Sequence, residues 1–369
     1  MGLLIVGRAF AISGLSDVIS RLLRRAIALP EKYFILVLMV ASMLVSMFCN
    51  SMLSLGLMMP IVDAAERNTN GRISRKMCYM MLAISGTIGG TVTSIGASSA
   101  ITASSLMESS YVGRQFTFFE LAPVSLPSAI AVLVVFALIG YAMERKCYNF
   151  EAAPLPEYVT QGENTKLEAP EVPKYKTVLA AVILVICIVN FIIGKFNLGA
   201  VSLLGALLLM LTGCVKEKEA FSAINLSTIF TVACSIGFGA GIQASGAGEV
   251  IANTLFKVGG PVTASPYGLC VVMMIITAFL SNFMSNNAAV VMVLPIALSM
   301  AQTLGQSGVP YAVACALGAN YAIMTPICNV QFTIIYNLGY RFKDYARVGG
   351  MFNLLIIVLG SIMLKLVYF

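Results

Sequence analysis

The sequence contains no histidine and no tryptophan, and only 11% of its residues are charged. Without histidine, the chain lacks the commonest general base, metal ligand and proton carrier near neutral pH. Without tryptophan, anchoring at a membrane surface falls to tyrosine and basic residues. Soluble domains carry about 25% charged residues, so this composition argues against a soluble fold.

The nine cysteines lie mostly within apolar segments, and no two have CxxC spacing. We therefore expect neither a disulfide framework nor a metal-bound cofactor. The net charge of +7 comes from basic residues that flank apolar segments and form no patch interleaved with aromatic residues. That distribution gives no reason to expect a nucleic-acid partner.

Hydrophobic residues make up 59% of the chain. Several apolar segments approach the roughly 20 residues that span a bilayer. They lie at 121–143, 177–193, 198–215 and 351–367. The sequence therefore predicts an all-α polytopic membrane protein, multi-pass in the plasma membrane, with the lipid bilayer as its surroundings.

The two halves of the chain resemble each other. Ser46 and Pro60 match Ser281 and Pro295 at a constant offset (281 − 46 = 235), and residues 11–19 are similar to 243–251. We interpret 1–143 as a first repeat, 144–176 as a polar linker and 177–369 as a second repeat. Two spans precede the matching segment only in the second half, so the first repeat is expected to lack its first two spans.

Basic residues bracket the uncharged block Tyr33–Val62, which is long for one span and is better interpreted as a re-entrant hairpin. Its counterpart lies at about 264–302. Five crossings separate the two hairpins, at about 80–107, 121–143, 177–193, 198–215 and 227–243. Five is odd, so the repeats are inverted, as in many secondary transporters. This orientation places the linker in the cytoplasm and leaves few basic residues outside: Arg114, Lys195, Lys257 and Lys365.

Each hairpin has a polar tip, Asn50-Ser51-Met52 in the first and Ser285-Asn286-Asn287 in the second. Each is followed by a span interrupted by small or turn-forming residues, at 89–100 and at 324–329. Polar residues in spans also hydrogen-bond between helices, and glycine-rich stretches also permit close helix packing. Broken helices, however, leave unpaired backbone groups that are tolerated in a membrane only where they line a cavity. We therefore expect tips and breaks to form one binding site.

No lysine or arginine occurs in 33–62, 77–107 or 258–340. An anion bound there has no fixed positive partner, and an uncompensated charge at low dielectric is costly. A cation that enters with the anion solves this problem. Because these blocks also lack aspartate, glutamate and histidine, we expect sodium rather than protons as the coupling ion.

The motifs at 285–288 (Ser-Asn-Asn-Ala), 89–99 (GGTVTSIGASS), 325–326 (Thr-Pro) and 340–355 (YRFKDYARVGGMFNLL) resemble the divalent anion/sodium symporter family of the ion transporter superfamily. The resemblance covers essentially the whole chain except the two missing spans. It implies a homodimeric, sodium-coupled symporter of small anions, such as di- or tricarboxylates or sulfate. It also implies an elevator-type alternating-access mechanism and no enzymatic activity.

The resemblance also implies two sodium sites and one substrate site. The first sodium site would use Ser46, Asn50, Ser51 and the Gly96 carbonyl. The second would use Ser281, Ser285, Asn286 and the Met324 carbonyl. Substrate contacts would fall on Ser51, Met52, Ala97, Ser98, Asn286, Asn287, Thr325 and Pro326. Family members carry Ser-Asn-Thr at each tip; here the first tip reads Asn50-Ser51-Met52 and the second has Asn287 for threonine, so the anion is left open.

The sequence also leaves three alternative functions open. An antiporter or oxyanion efflux carrier of the same superfamily would keep the fold and exchange its ions differently. A membrane-embedded hydrolase would need an activated nucleophile or a metal, and the sequence offers neither histidine nor a buried acidic pair. A non-functional remnant would explain the missing spans.

Overall fold

The computed structural model describes residues 26–150, 174–193, 198–215 and 265–369, together with single residues between 217 and 254. Within these residues the regular secondary structure is helical. The first half contains α1 (Glu31–Phe48), α2 (Ser51–Asn68), α3 (Arg75–Gly90), α4 (Ser98–Glu108), α5 (Ala122–Val135), a π-helical turn (Phe136–Gly140) and α6 (Tyr141–Cys147). It is followed by α7 (Lys174–Ile193), α8 (Leu198–Leu211), α9 (Pro266–Ser281), α10 (Asn286–Thr303), α11 (Val309–Tyr321), α12 (Val330–Tyr336), α13 (Phe342–Asp344), a second π-helical turn (Tyr345–Gly349) and α14 (Gly350–Tyr368).

Among the described residues, four helical stretches are long and apolar enough to cross a membrane: Glu31–Phe48, Ala122–Cys147, Asn286–Thr303 and Phe342–Tyr368. The spans predicted at 121–143, 177–193 and 198–215 correspond to helices at 122–147, 174–193 and 198–211. The segments at 11–19 and 227–243 lie outside the described residues. The prediction of an all-α membrane protein is confirmed.

Both predicted hairpins are present and are built in the same way. The carboxamide oxygen of Asn50 accepts a hydrogen bond from Met52 N at 3.0 Å and caps α2. Ser285 Oγ accepts from Ala288 N at 3.3 Å and caps α10. Such caps satisfy N–H groups that a helix start leaves unpaired. The two caps are 235 residues apart (285 − 50), the same offset as in the sequence repeat.

Both predicted helix breaks are also present. α3 ends at Gly90 and α4 begins at Ser98, so residues 91–97 form the first break. α11 ends at Tyr321 and α12 begins at Val330, so residues 322–329 form the second break. Pro326 lies within the second break, where its lack of an N–H is compatible with non-helical backbone.

The chain folds into two compact units, and two of the boundaries, after Gly90 and after Asn329, fall at the edges of the breaks. The first unit contains Met1–Gly90, Leu133–Ile224 and Val330–Asp344. The second contains Thr91–Val132, Asn225–Asn329 and Tyr345–Phe369. Each unit therefore holds one hairpin, the helix after it, and the short helix that follows the break of the other repeat. In the first unit α12 packs on α2 and α3, and in the second α4 packs on α10 and α11.

A glycine allows the hairpin in each unit to pack closely against the next helix. A Cβ added to Gly89 of α3 would lie 2.4 Å from Met43 Cα of α1. A Cβ added to Gly318 of α11 would lie 2.5 Å from Met274 O of α9. Both distances are shorter than any tolerable contact, so only glycine fits at these positions without movement of the backbone.

Helices extend into both ends of the predicted linker, 144–176. The helix that begins at Ala122 continues to Cys147, and α7 already begins at Lys174. Glu144 is fully buried in the first unit, where Tyr148 Oη donates to its Oε1 at 3.1 Å. The Tyr148 ring packs edge-on against Tyr340, with ring centroids 5.3 Å apart. These aromatic contacts hold the start of the predicted linker within the first unit, and residues 151–173 lie outside the described part of the chain.

Candidate functional site

The tip of the second hairpin carries a buried polar network. Ser281 at the end of α9, Asn286 at the start of α10 and Asn320 near the end of α11 are at most 8% exposed. Ser281 Oγ lies 2.8 Å from both Asn286 Oδ1 and Ala319 O. Asn286 Nδ2 donates to Asn320 Oδ1 at 3.1 Å. The network ties both helices of the hairpin to α11.

Three further oxygens surround the Oδ1 end of the Asn286 amide. Ser281 Oγ lies 2.8 Å from it, Cys328 O 2.9 Å and Ala319 O 3.2 Å. We call these three atoms the oxygen cluster; the Asn286 amide can turn either its oxygen or its nitrogen toward them. A carbonyl cannot donate a hydrogen bond, so only the Ser281 hydroxyl can pair with Oδ1. Neutral oxygens gathered in this way suit a hard cation such as sodium.

Asn282 connects the same hairpin to the second break. Its Oδ1 accepts from Met324 N at 3.0 Å, and its main-chain oxygen accepts from Thr325 Oγ1. Its Nδ2 donates to Ala278 O at 2.8 Å. Asn282 therefore holds two predicted binding positions, Met324 and Thr325, beside the hairpin. Asn282 itself is not among the site residues that the sequence predicts.

The remaining predicted residues of the second tip differ in their surroundings. Ser285 is exposed, and its Oγ is used as the cap of α10. Asn287 Oδ1 is buried and has no hydrogen-bond partner among the described residues. Pro326 is buried within the second break. Of these side chains, Asn287 offers the polar atom that is best available to a ligand.

The start of α4 belongs to the same unit as the second hairpin. Ala97 precedes this helix without a side-chain cap, and Gly96, Ala97 and Ser98 all lie in the second unit. Uncapped N–H groups and the positive end of the helix dipole favour a negative group. Ser99 accepts a hydrogen bond from Asn320 Nδ2, which fixes this helix start to α11.

The tip of the first hairpin lies in the first unit with Ser46, Asn50 and Ser51. Ser46 is fully buried, and its Oγ has no hydrogen-bond partner among the described residues. Asn50 is used as the cap of α2 and Met52 is 47% exposed. The first predicted sodium site combines these residues with Gly96 of the second unit, and it stays a prediction.

Charged side chains lie away from these tips. In the second unit Arg114 pairs with Glu120 at 3.0 Å in the loop before α5. Burial would raise the pKa of Glu120, but hydrogen bonds from Arg114 and Thr117 lower it below its usual value. In the first unit Asp63 pairs with Arg67 at 2.7 Å and Arg75 at 3.0 Å, toward the end of α2 that lies away from the tip. The part of the chain that the structure describes holds no cluster of three potential metal-ligating histidine, cysteine, aspartate or glutamate side chains.

The fold combines apolar helices with two capped hairpins and two broken helices. This combination is typical of membrane transporters. The structure is similar to the crystal structure of the YdaH transporter of Alcanivorax borkumensis, with a TM-score of 0.64 and 13% sequence identity. The similarity covers 99% of this chain and 84% of that chain. At this identity the likeness establishes the fold alone.

The sequence matches the citrate transporter family over residues 1–195 and 188–369, so the chain belongs to this family. An uncharacterized transporter of Synechocystis sp. is 32% identical over 233 residues, 63% of this chain and 36% of that protein. Sodium/sulfate cotransporter 2 of Chlamydomonas reinhardtii is 30% identical over 169 residues, 45% of this chain and 19% of that protein. The sodium-dependent dicarboxylate transporter SdcS of Staphylococcus saprophyticus is 25% identical over 366 residues, 90% of this chain and 68% of that protein.

This chain thus spans little more than a third of the Synechocystis transporter. The family and these relatives are named as transporters, not enzymes. The predicted family resemblance is confirmed.

Proposed function

We propose that this protein is a sodium-coupled symporter of small anions, with di- or tricarboxylates or sulfate as its substrate class. The oxygen cluster at Asn286 is the observation that carries the proposal. It gathers two main-chain carbonyls and a hydroxyl around one end of a buried side-chain amide, and no fixed positive charge occurs in the sequence from 258 to 340. A sodium ion there would supply the missing charge.

The anion would bind beside this sodium ion. The start of α4 has no side-chain cap at Ala97, and Asn287, in the same unit, has a side-chain amide nitrogen that can donate to an anion. Because a bare anion would be costly to bury without a cation, its affinity would depend on sodium. This dependence is the physical basis of coupled transport.

The remaining parts of the proposal rest on the family resemblance. A second sodium ion would use Ser46, Asn50, Ser51 and Gly96. The protein would be a homodimer in the plasma membrane, with its polar linker in the cytoplasm, and would move its substrate by an elevator-type alternating-access mechanism. Among the relatives, the names of SdcS and the Chlamydomonas cotransporter support both sodium dependence and the anion classes.

Uptake into proteoliposomes tests the proposal. Radiolabelled citrate, succinate and sulfate would be offered under an inward sodium gradient, with an equal potassium gradient as the control. We expect at least one anion to accumulate only with sodium, and Asn286→Ala to abolish that uptake. Asn190→Ala serves as a matched control, because Asn190 donates to Ile186 O within α7 and is not one of the proposed site residues. Equal accumulation under both gradients would contradict the proposal.

Proton-coupled antiport is a second candidate, favoured by one observation. Glu144 is fully buried near the end of an apolar helix, and its Oε2 has no hydrogen-bond partner among the described residues. Buried acids within membrane-spanning helices are often proton carriers. A pH gradient that drives anion flux without sodium, and that fails to do so in Glu144→Gln, would support this candidate over symport.

A further inference from the structure

Two buried side-chain amides meet end to end in the second unit. One end of the Asn286 amide lies in the oxygen cluster, and its other end lies 3.1 Å from Asn320 Oδ1. An amide oxygen only accepts hydrogen bonds and an amide nitrogen only donates them. The orientation of either amide therefore determines which orientation suits the other.

In the first orientation Asn286 turns its oxygen into the oxygen cluster and its nitrogen toward Asn320. Asn320 is then fully satisfied, because its Nδ2 donates to Ala316 O at 2.9 Å and to Ser99 Oγ. Asn286 Oδ1, however, faces two carbonyl oxygens at 2.9 and 3.2 Å, which repel it. A cation among these oxygens would turn that repulsion into coordination.

In the second orientation both amides are turned over. Asn286 Nδ2 then donates to the carbonyls of the oxygen cluster and takes the role of the cation. Asn320 must present its nitrogen to Asn286, which leaves its oxygen 2.9 Å from Ala316 O. The conflict between two acceptors has moved from Asn286 to Asn320.

We propose that Asn320 is a positioning residue that holds the Asn286 oxygen toward sodium. Its amide avoids a contact between two acceptors, its own oxygen and Ala316 O, only in the first orientation. It therefore opposes the turnover that would let Asn286 Nδ2 compete with the ion. Sodium relieves the conflict of the first orientation alone and therefore selects it. This inference rests on the proposed function and adds a residue that sets the sodium affinity of that site.

Asn320→Leu tests the inference, because leucine has a similar shape and no hydrogen-bonding group. Asn286 could then turn its nitrogen into the oxygen cluster with no unfavourable contact at position 320. We expect the sodium concentration for half-maximal effect to rise roughly two- to tenfold, the value of one hydrogen bond. The maximal uptake rate at saturating sodium should stay unchanged. Both sodium-dependent thermal stabilisation of the purified full chain without anion and sodium-dependent uptake would be measured.

Asn353→Leu is the matched control. Asn353 is also a buried amide of the second unit, and its Nδ2 donates to Tyr321 O. Its loss should cost thermal stability and leave the sodium dependence unchanged. Asn320→Asp keeps an acceptor toward Asn286, so its sodium affinity should equal or exceed that of the wild type. If Asn320→Leu does not fold, the sodium affinity of Asn320→Asp still tests the inference.

Unchanged sodium dependence in Asn320→Leu would overturn the inference. So would weaker sodium binding in Asn320→Asp, because a purely structural role would weaken binding in any variant. If the wild type showed no sodium response in either assay, the proposed function itself would be wrong, and the inference would fall with it. A sodium response in the wild type combined with either overturning result would reject the role of Asn320 alone.

Discussion

Ser46 and Ser281 occupy equivalent positions in the two hairpins and are both fully buried, but their surroundings differ. Ser281 Oγ bonds with Asn286 and with Ala319 O. Ser46 Oγ has no hydrogen-bond partner among the described residues. The backbone design has thus been kept in both repeats, with equivalent caps and close-packed glycines, while the polar interiors have diverged.

The short helices after the breaks show the same pattern. In each of these helices, the second residue forms a side-chain hydrogen bond to a helix of the same unit. Ser99 of α4 bonds with Asn320, and Gln331 of α12 bonds with Thr87. Among the described residues, the contact in the second unit extends to a hairpin tip, through Asn286. The comparison teaches that the second tip is the stronger candidate for ion binding, and variants at matched positions can test this.

The largest expected difference is between Asn286→Ala and Ser51→Ala, at equivalent positions of the two tips. Asn286→Ala removes the amide that faces the oxygen cluster, so sodium-dependent uptake should fall to background. Ser51→Ala should leave measurable uptake with a raised sodium requirement. Initial uptake rates at several sodium concentrations would measure both effects. Equal loss in the two variants would show that the tips contribute alike.

Substitution of the close-packed glycines should affect folding rather than ion binding. Gly318→Ala and Gly89→Ala each place a methyl group against a main-chain atom of a hairpin. Overpacking of this kind costs typically about 1–3 kcal/mol. Both variants should show a similarly lowered melting temperature in detergent. A normal melting temperature in one of them would mean that its hairpin is not held as tightly as the other.

The buried serines should differ in their effect on stability. Ser281→Ala removes a hydroxyl with two partners and leaves oxygens unpaired, which costs roughly 1–3 kcal/mol. Ser46→Ala removes a hydroxyl without a described partner, so sodium-free stability should be unchanged or higher. Melting temperatures measured without sodium compare the two. A large loss in Ser46→Ala would reveal a partner of that hydroxyl and weaken the contrast.

The smallest expected effect concerns the caps. Asn50→Ala and Ser285→Ala each remove a side-chain oxygen that accepts a main-chain N–H. Loss of such a cap costs about 1 kcal/mol. Both variants should lower the melting temperature by a similar, small amount. If only Ser285→Ala also weakened the sodium response, its hydroxyl would contribute to ion binding as well as to the cap.

The sequence predicted the elements whose signals are local. Uncharged blocks marked the hairpins, the constant offset of 235 aligned their tips, and the stretches at 89–100 and 324–329 marked the breaks. These features depend on backbone chemistry that neighbouring residues determine. The hairpins and breaks could therefore be predicted without knowledge of the tertiary packing.

Contacts between distant segments could not be predicted in this way. Asn320 is a single polar residue in an apolar helix, and no local pattern pairs it with Ser99, which lies 221 positions earlier. Likewise, the burial of Glu144 at the start of the predicted linker involves contacts with Tyr148 and, through it, with the distant Tyr340. Each short helix after a break belongs to the unit that holds the hairpin of the other repeat. This placement also depends on contacts between segments that are distant in the sequence.

Simultaneous measurement of ²²Na⁺ and radiolabelled anion uptake in the same proteoliposomes tests the central claim most directly. If the oxygen cluster at Asn286 supplies the charge that lets the anion bind, both isotopes should accumulate together and both should be lost in Asn286→Ala. Anion accumulation without sodium entry, or sodium-coupled accumulation that survives in Asn286→Ala, would contradict this account.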